Sequence, residues 1–202
     1  ESWNGSAWTE VNDLNTASSQ GSSGLGTQTA ALAAGKHPYA SPQSCEQWDG
    51  TNWTEVAELN TPRGEDMGSN GTTTSGLLYG GYFNPPSQNK ANTESWNGST
   101  WTEQADLSTA RYALSGSGAS ANSAIAAGGE SPSAPNRNDA ETWNGTSWTE
   151  VNEINTARRL FMGMGTQTSA IVTGGYNPPG ATGVTESYDG TNFTEVADLN
   201  TA

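Results

Sequence analysis

Apolar residues along this chain come in clusters of a few positions, set among glycine, serine, threonine and asparagine, and nowhere do they recur every three or four residues over a long window. That pattern predicts short β-strands and essentially no helix. Two kinds of strand pair alternate. In one, two β-prone runs flank Asn-Gly or Asp-Gly, as where Glu141-Thr-Trp and Trp148-Thr-Glu-Val enclose Asn144-Gly145. Asn-Gly and Asp-Gly readily adopt the positive φ angles of a tight turn, so each reads as a β-hairpin. In the other, a glycine-rich run such as Phe161-Met-Gly-Met-Gly-Thr passes a polar turn near Thr168-Ser169 into Ala170-Ile-Val-Thr and Gly174-Gly175, and matching stretches cover 24–35, 68–81 and 114–129.

These pairs belong to one internal repeat. Five segments of the Glu-Ser-Trp-Asn-Gly type align without gaps from Glu1, Glu46, Glu94, Glu141 and Glu186, a period of 45–48 residues. All eight tryptophans fall in them, at 3 and 8, 48 and 53, 96 and 101, 143 and 148, and Tyr188 and Phe193 take both places in the fifth copy. An aromatic ring is needed at each position, and an indole is not. One period holds four short strands: a (glycine-rich), b (ending in Gly-Gly), c (Glu-Ser-Trp type) and d (Trp-Thr-Glu-Val type). Four-stranded units of this length predict an all-β propeller, each unit a blade. Residues 1–202 then form a single domain of four complete blades and one extra half-blade, since five c–d pairs stand against four a–b pairs.

Composition alone suggests disorder, with only 22 Leu, Ile, Val and Phe among 202 residues and a formal charge of −14. The register of the aromatics argues otherwise: an aromatic side chain buries roughly 150–250 Å², so about two per thin blade stand in for many aliphatics. With 7 basic against 21 acidic residues, the charge opposes nucleic acid and anionic membrane surfaces. No apolar run has transmembrane length, so membrane insertion is not expected. One cysteine, Cys45, allows no internal disulfide or multi-cysteine metal cluster, and one histidine, His37, allows no His pair. Cys45 reads as an inert thiol and His37 as a loop residue.

The repeat resembles the kelch repeat, in which a diglycine ends the second strand, two aromatics follow, and the chain return often carries Arg. Gly80-Gly81, Gly128-Gly129 and Gly174-Gly175 match the diglycine, with Gly35-Lys36 departing in the first copy; Arg63, Arg111 and Arg158 fall on the return, where the first copy has Ser18. The resemblance covers the whole chain and implies a kelch-type propeller. The uniform copies, rich in Asn, Thr, Ser and Gly and poor in Lys, also resemble kelch-like structural proteins of bacteriophages, which implies a virion or extracellular setting. The copper-radical chemistry of galactose oxidase, on a kelch propeller, needs a Cys–Tyr crosslink and two His ligands, a set this chain lacks.

Carboxylates recur on strand d at Glu10, Glu55, Glu103, Glu150 and Glu195, and three residues later at Asp13, Glu58, Asp106, Glu153 and Asp198. A glycosidase needs one specialised pair whose environments separate the two pKa values. Acids repeated in every blade read as scaffold or solvated charge. No cofactor is expected, with calcium at the acidic rim the one alternative. Six Asn-X-Ser/Thr sequons, at Asn4, Asn52, Asn70, Asn97, Asn144 and Asn192, are explained mainly by turn chemistry.

The b-to-c connections vary between copies and carry Tyr39, Tyr82, Phe83 and Tyr176, with Asn-Pro-Pro runs from Asn84 and Asn177. In a propeller these connections share a face with the d-to-a returns, so Arg63, Arg111, Arg158 and Arg159 would rim the same surface. Aromatics, amides and arginines suit a carbohydrate or protein contact. In the competing reading the arginines satisfy carbonyls between blades and the tyrosines cover blade ends. The function expected is a non-enzymatic structural or adhesion module, virion-associated, whose partners are other virion proteins or a host-surface glycan or protein. A propeller-based glycan-active enzyme and an intracellular kelch adaptor are the alternatives. The strand count and the non-Met first residue also suggest a piece of something longer. About 30 further residues would complete five blades, and the open edge would otherwise favour homo-oligomers.

Overall fold

The computed structural model describes residues 1–18, 23–36 and 42–201, so His37 and Tyr39 lie outside the described residues. A two-stranded hairpin, β1 (Ser2–Trp3) and β2 (Trp8–Thr9), leads into four antiparallel sheets. The first is β3 (Ser23–Thr27), β4 (Ala30–Ala34), β5 (Cys45–Trp48) and β6 (Trp53–Val56). The second begins with β7 (Gly68–Thr72) and β8 (Ser75–Tyr79), passes a small hairpin of β9 (Tyr82–Phe83) and β10 (Gln88–Asn89), and ends with β11 (Thr93–Trp96) and β12 (Trp101–Glu103). The third is β13 (Ser115–Ser120), β14 (Ser123–Ala127), β15 (Ala140–Trp143) and β16 (Trp148–Val151). The fourth is β17 (Met162–Thr166), β18 (Ser169–Thr173), the hairpin β19 (Tyr176–Asn177) and β20 (Gly180–Ala181), then β21 (Thr185–Tyr188) and β22 (Phe193–Glu195). In each sheet the strands lie side by side in chain order, a-b-c-d, and no helix occurs among the described residues.

The four innermost strands gather around a common axis: β3 packs on β7, β7 on β13 and β13 on β17. Glycine permits that approach. A Cβ on Gly163 would stand 2.2 Å from Ser115 Oγ, and one on Gly116 would stand 3.0 Å from the Cα of Gly68. Thus the glycine-rich composition of strand a is a packing requirement.

The buried core lies between sheets. Leu32, Ala34, Cys45 and Leu59 of the first sheet and its return meet Met67, Leu78, Trp96 and Trp101 of the second. Leu77, Tyr79 and Leu107 meet Leu114, Ala124, Ala126 and Trp143, and Ile125, Ala127 and Ile154 meet Phe161, Val172, Tyr188 and Phe193. Two or three aromatics and a few aliphatics per interface close each wedge, which accounts for the low aliphatic count.

The outer hairpins differ from a two-residue turn. Trp3 pairs with Trp8 and Trp48 with Trp53 across four-residue connections. In each the Asn or Asp side chain accepts backbone N–H bonds from two and three residues on, as Asn144 does from Thr146 and Ser147 at 2.9 and 3.0 Å. The following glycine takes a φ of about +95°, +94° at Gly145. A side-chain acceptor is therefore required at this position, which explains the sequon asparagines Asn4, Asn97 and Asn144. The paired rings sit 5.4 Å apart in Trp143–Trp148 and 4.6 Å apart in Tyr188–Phe193. In the first three four-stranded sheets the first indole of the pair donates to the a–b turn of its own sheet, Trp48 to Gln28 O, Trp96 to Thr73 O and Trp143 to Ala121 O, at 2.8–3.1 Å.

Candidate functional site

The b-to-c connections and the d-to-a returns do emerge on one face, joined by isolated backbone bridges: Gly64 with Tyr82, Tyr112 with Glu130 and Arg159 with Tyr176. Above the axis on this face lies a cleft of about 460 Å³ lined by Glu65, Asp66, Tyr112, Ala113, Glu130, Arg159 and Leu160. Asp66, Ala113 and Leu160 hold the equivalent place in successive repeats and all have positive φ, +46°, +53° and +56°. Because that left-handed turn recurs, it belongs to the scaffold that aims each return at the axis.

Arg159 anchors the cleft. Its guanidinium pairs with Glu130 at 2.9 Å, donates to Pro135 O at 2.7 Å and stacks over Tyr176 with 5.0 Å to the ring centroid. Tyr82 packs on Tyr112 with centroids 5.1 Å apart, and Phe83 lies under the Lys90 ammonium at 5.6 Å. Partial burial pushes the Tyr112 phenol up to about 12, with the charge of Glu130 and a hydrogen bond to it adding to the rise. Burial and the neighbouring Glu65 charge raise the Asp66 carboxyl. Of the predicted site residues, the structure brings Tyr82, Tyr176 and Arg159 to this cleft's edge or lining. Phe83 stands beside them on β9, and Tyr39 is outside the described residues.

Arg63, Arg111 and Arg158 do not rim this surface. All three are completely buried, so they are not available to a ligand. Each pairs with the glutamate at the second position of strand c of the sheet it enters: Arg63 with Glu94 at 3.1 Å, Arg111 with Glu141 at 2.8 Å and Arg158 with Glu186 at 2.6 Å. The same carboxylate holds the preceding return. Glu94 accepts from the backbone N–H of Asn60 and Thr61 at 2.8 and 3.2 Å, and Glu186 from Asn155 and Thr156 at 2.7 and 3.4 Å. The latch ties one sheet's return to the next sheet. Sequence reading singled out the strand-d acids, which are exposed, and passed over this glutamate, although it stands at Glu1, Glu46, Glu94, Glu141 and Glu186 in every copy.

The first copy's two departures are one compensated exchange. It lacks the return arginine at Ser18, and Lys36, in place of the second glycine, reaches Glu46 and Thr16 O instead. Glu46 also accepts from the backbone N–H of Asn15 and Thr16 at 2.8 and 3.1 Å. Burial alone would raise the Glu46 carboxyl, but the hydrogen bonds from Lys36, Asn15 and Thr16 outweigh it and hold it below its usual range. Because the folded value is depressed, its contribution is complete above the unfolded carboxylate value of about 4.3 and is lost as pH falls through the folded value. Lys36→Ala is expected to cost about 3–5 kcal/mol by leaving a buried carboxylate unpaired and to shrink this acid-labile component. Adding Ser18→Arg should restore much of both, measured by urea unfolding at pH 7 and pH 4. A Lys36→Ala protein as stable as the parent would refute the exchange.

Cys45 is buried, and desolvation raises its thiol to about 12, which leaves almost no thiolate at neutral pH. Among the described residues no cluster of three or more His, Cys, Asp or Glu is arranged to hold a metal ion. No family model and no curated protein matches this sequence. Among solved structures, one described as the structure of YjhT superposes with a TM-score of 0.74 over 95% of this chain and 69% of its own, at 11% identity. At that identity the likeness bears on the fold alone. Together with four antiparallel sheets around one axis, it shows an all-β, propeller-like fold.

Proposed function

We propose that this chain is a non-enzymatic binding module of the kelch type, part of a ring of five or more blades, that presents its connection face to a neutral glycan. The observation that carries this reading is the axial cleft, where one phenol, one guanidinium and three carboxylates converge, most of them on the d-to-a returns, beside the b-to-c connections that differ between repeats. Sugar hydroxyls both donate and accept, so a wall of carboxylate, phenol and guanidinium groups suits them, and the flanking Tyr82 and Tyr176 offer apolar ring faces. An excess of carboxylate over cation in the lining disfavours anionic sugars. The virion or extracellular setting rests on the resemblance of the uniform repeats to bacteriophage proteins. A display role fits a scaffold whose strand-d carboxylates repeat in every sheet instead of forming one specialised pair.

The test is a panel of immobilised neutral and anionic polysaccharides probed with the parent and Arg159→Ala, scoring retention and released reducing ends. Retention on neutral glycans, weakened about tenfold or more by Arg159→Ala with a stability loss of about 1 kcal/mol or less, supports the reading. Released reducing ends would replace it with a glycan-active enzyme, and retention on none of the polysaccharides would overturn it.

A further inference from the structure

The returns that lead into the second, third and fourth sheets reach the axis by nearly the same path. The backbone bridges place Gly64, Tyr112 and Arg159 at one position of successive returns. In the third and fourth sheets two residues separate that position from the innermost strand, Ala113 and Leu114 before β13, and Leu160 and Phe161 before β17. In the second sheet there are three, Glu65, Asp66 and Met67 before β7. Met67, Leu114 and Phe161 are all buried, and Asp66 holds the place of Ala113 and Leu160. Glu65 is therefore an added residue. Its counterparts in the first return, 19–22, lie outside the described residues.

The added residue is held in a conformation that the third and fourth returns do without. Ala113 and Leu160 are single left-handed residues, whereas Glu65 and Asp66 follow one another at φ +55° and +46°. A Cβ makes that region costly, and residues that bear one enter it singly. The insertion also sets two carboxylates side by side. Burial raises the Asp66 carboxyl and the Glu65 charge adds to it; at the Tyr112 phenol the same charge contributes after burial and Glu130. Glu65 thus lines the cleft against both strain and repulsion. Other groups there already serve one another: Arg159 holds Glu130, Pro135 O and the Tyr176 ring, and Glu130 shares a hydrogen bond with Tyr112.

We infer that Glu65 is the specificity-determining residue of this cleft, and that its carboxylate selects a sugar bearing an unsubstituted vicinal diol. The inference rests on the glycan reading above and names the part of the glycan that is recognised. A carboxylate presents two acceptor oxygens side by side, which match the two O–H donors of adjacent sugar hydroxyls. The same charge repels a sugar carboxylate or sulfate, so one residue both attracts the diol and excludes anionic sugars. Strain confined to one return, at a residue lining the cleft, is the pattern of a group kept for binding.

The probes are immobilised dextran and galactomannan, both rich in vicinal diols, each also after periodate oxidation and borohydride reduction, which open those diols. Curdlan, whose chain residues lack adjacent free hydroxyls, is the third polysaccharide. The parent is expected to be retained on untreated dextran or galactomannan, and about tenfold or more weakly after oxidation. Glu65→Gln keeps the shape and loses the charge, and should weaken retention about fivefold or more. Glu65→Gly should weaken it at least as much while melting about 2 °C or more above the parent, because glycine relieves the left-handed strain. Opposite movements of stability and retention separate a ligand contact from a structural role. Equal retention on oxidised and untreated glycan, retention on curdlan alone, a Glu65→Gln protein bound as tightly as the parent, or a Glu65→Gly protein no more stable than it, overturns this inference and leaves the glycan reading standing. Retention on none of the three polysaccharides overturns the glycan reading and this inference with it.

Discussion

Arg111→Ala is expected to lower unfolding free energy by about 3–5 kcal/mol, the range for removing one partner of a buried ion pair. Arg111 is fully buried and makes four bonds: to Gly128 O at 3.2 Å, Asp139 O at 2.9 Å, Asp139 Oδ2 at 2.8 Å and Glu141 Oε1 at 2.8 Å. Its loss strands Glu141, whose other partner is the Ser108 backbone N–H at 3.0 Å, in a site closed to water. The cost comes from the stranded charge more than from the pair itself. The double change Arg111→Met with Glu141→Leu should therefore cost less than Arg111→Ala alone, since it removes both charges and refills the volume. Urea unfolding of the three variants decides it. A single variant within about 1 kcal/mol of the parent would mean that the guanidinium is not the clasp between these sheets.

Trp143→Ala should cost about 3–5 kcal/mol as well, through a different mechanism. Its ring is almost wholly buried in the core between the second and third sheets, and its Nε1 donates to Ala121 O at 3.1 Å. Truncation leaves a cavity in a wedge with few aliphatics to collapse into it, and an unpaired carbonyl at the a–b turn. Trp8→Ala removes the same residue type at an exposed outer position and should stay within about 0.5 kcal/mol. Thermal unfolding of both variants separates burial from residue type; equal losses at the two sites would refute the inter-sheet core.

Most of the fold was legible because a repeat states its geometry several times over. The four-strand period, the aromatic pair and the acceptor before each turn glycine recur in register, so errors in reading one copy are corrected by the others. The candidate site was less legible. Tyr82 and Tyr176 were found because they lie on connections that differ between copies, and Arg159 because it lies on a return that shares their face. Glu65, Asp66, Tyr112 and Glu130 were missed, because only their convergence over the axis sets them apart from the many other polar residues. The three other arginines were misplaced onto the rim for a related reason: a return residue looks exposed in a linear reading, and its burial depends on a glutamate some 30 residues further on, as with Arg111 and Glu141.

The sequence by itself determined the strand order within each sheet and the placement of the aromatic pairs, since these follow from short-range pattern and recur in every copy. Only the tertiary structure decided which charges are buried and that Lys36 replaces the missing return arginine. Those outcomes depend on contacts between consecutive sheets, and a contact between residues a repeat apart is set by how the sheets stack around the axis, which no local pattern of apolar and polar positions records.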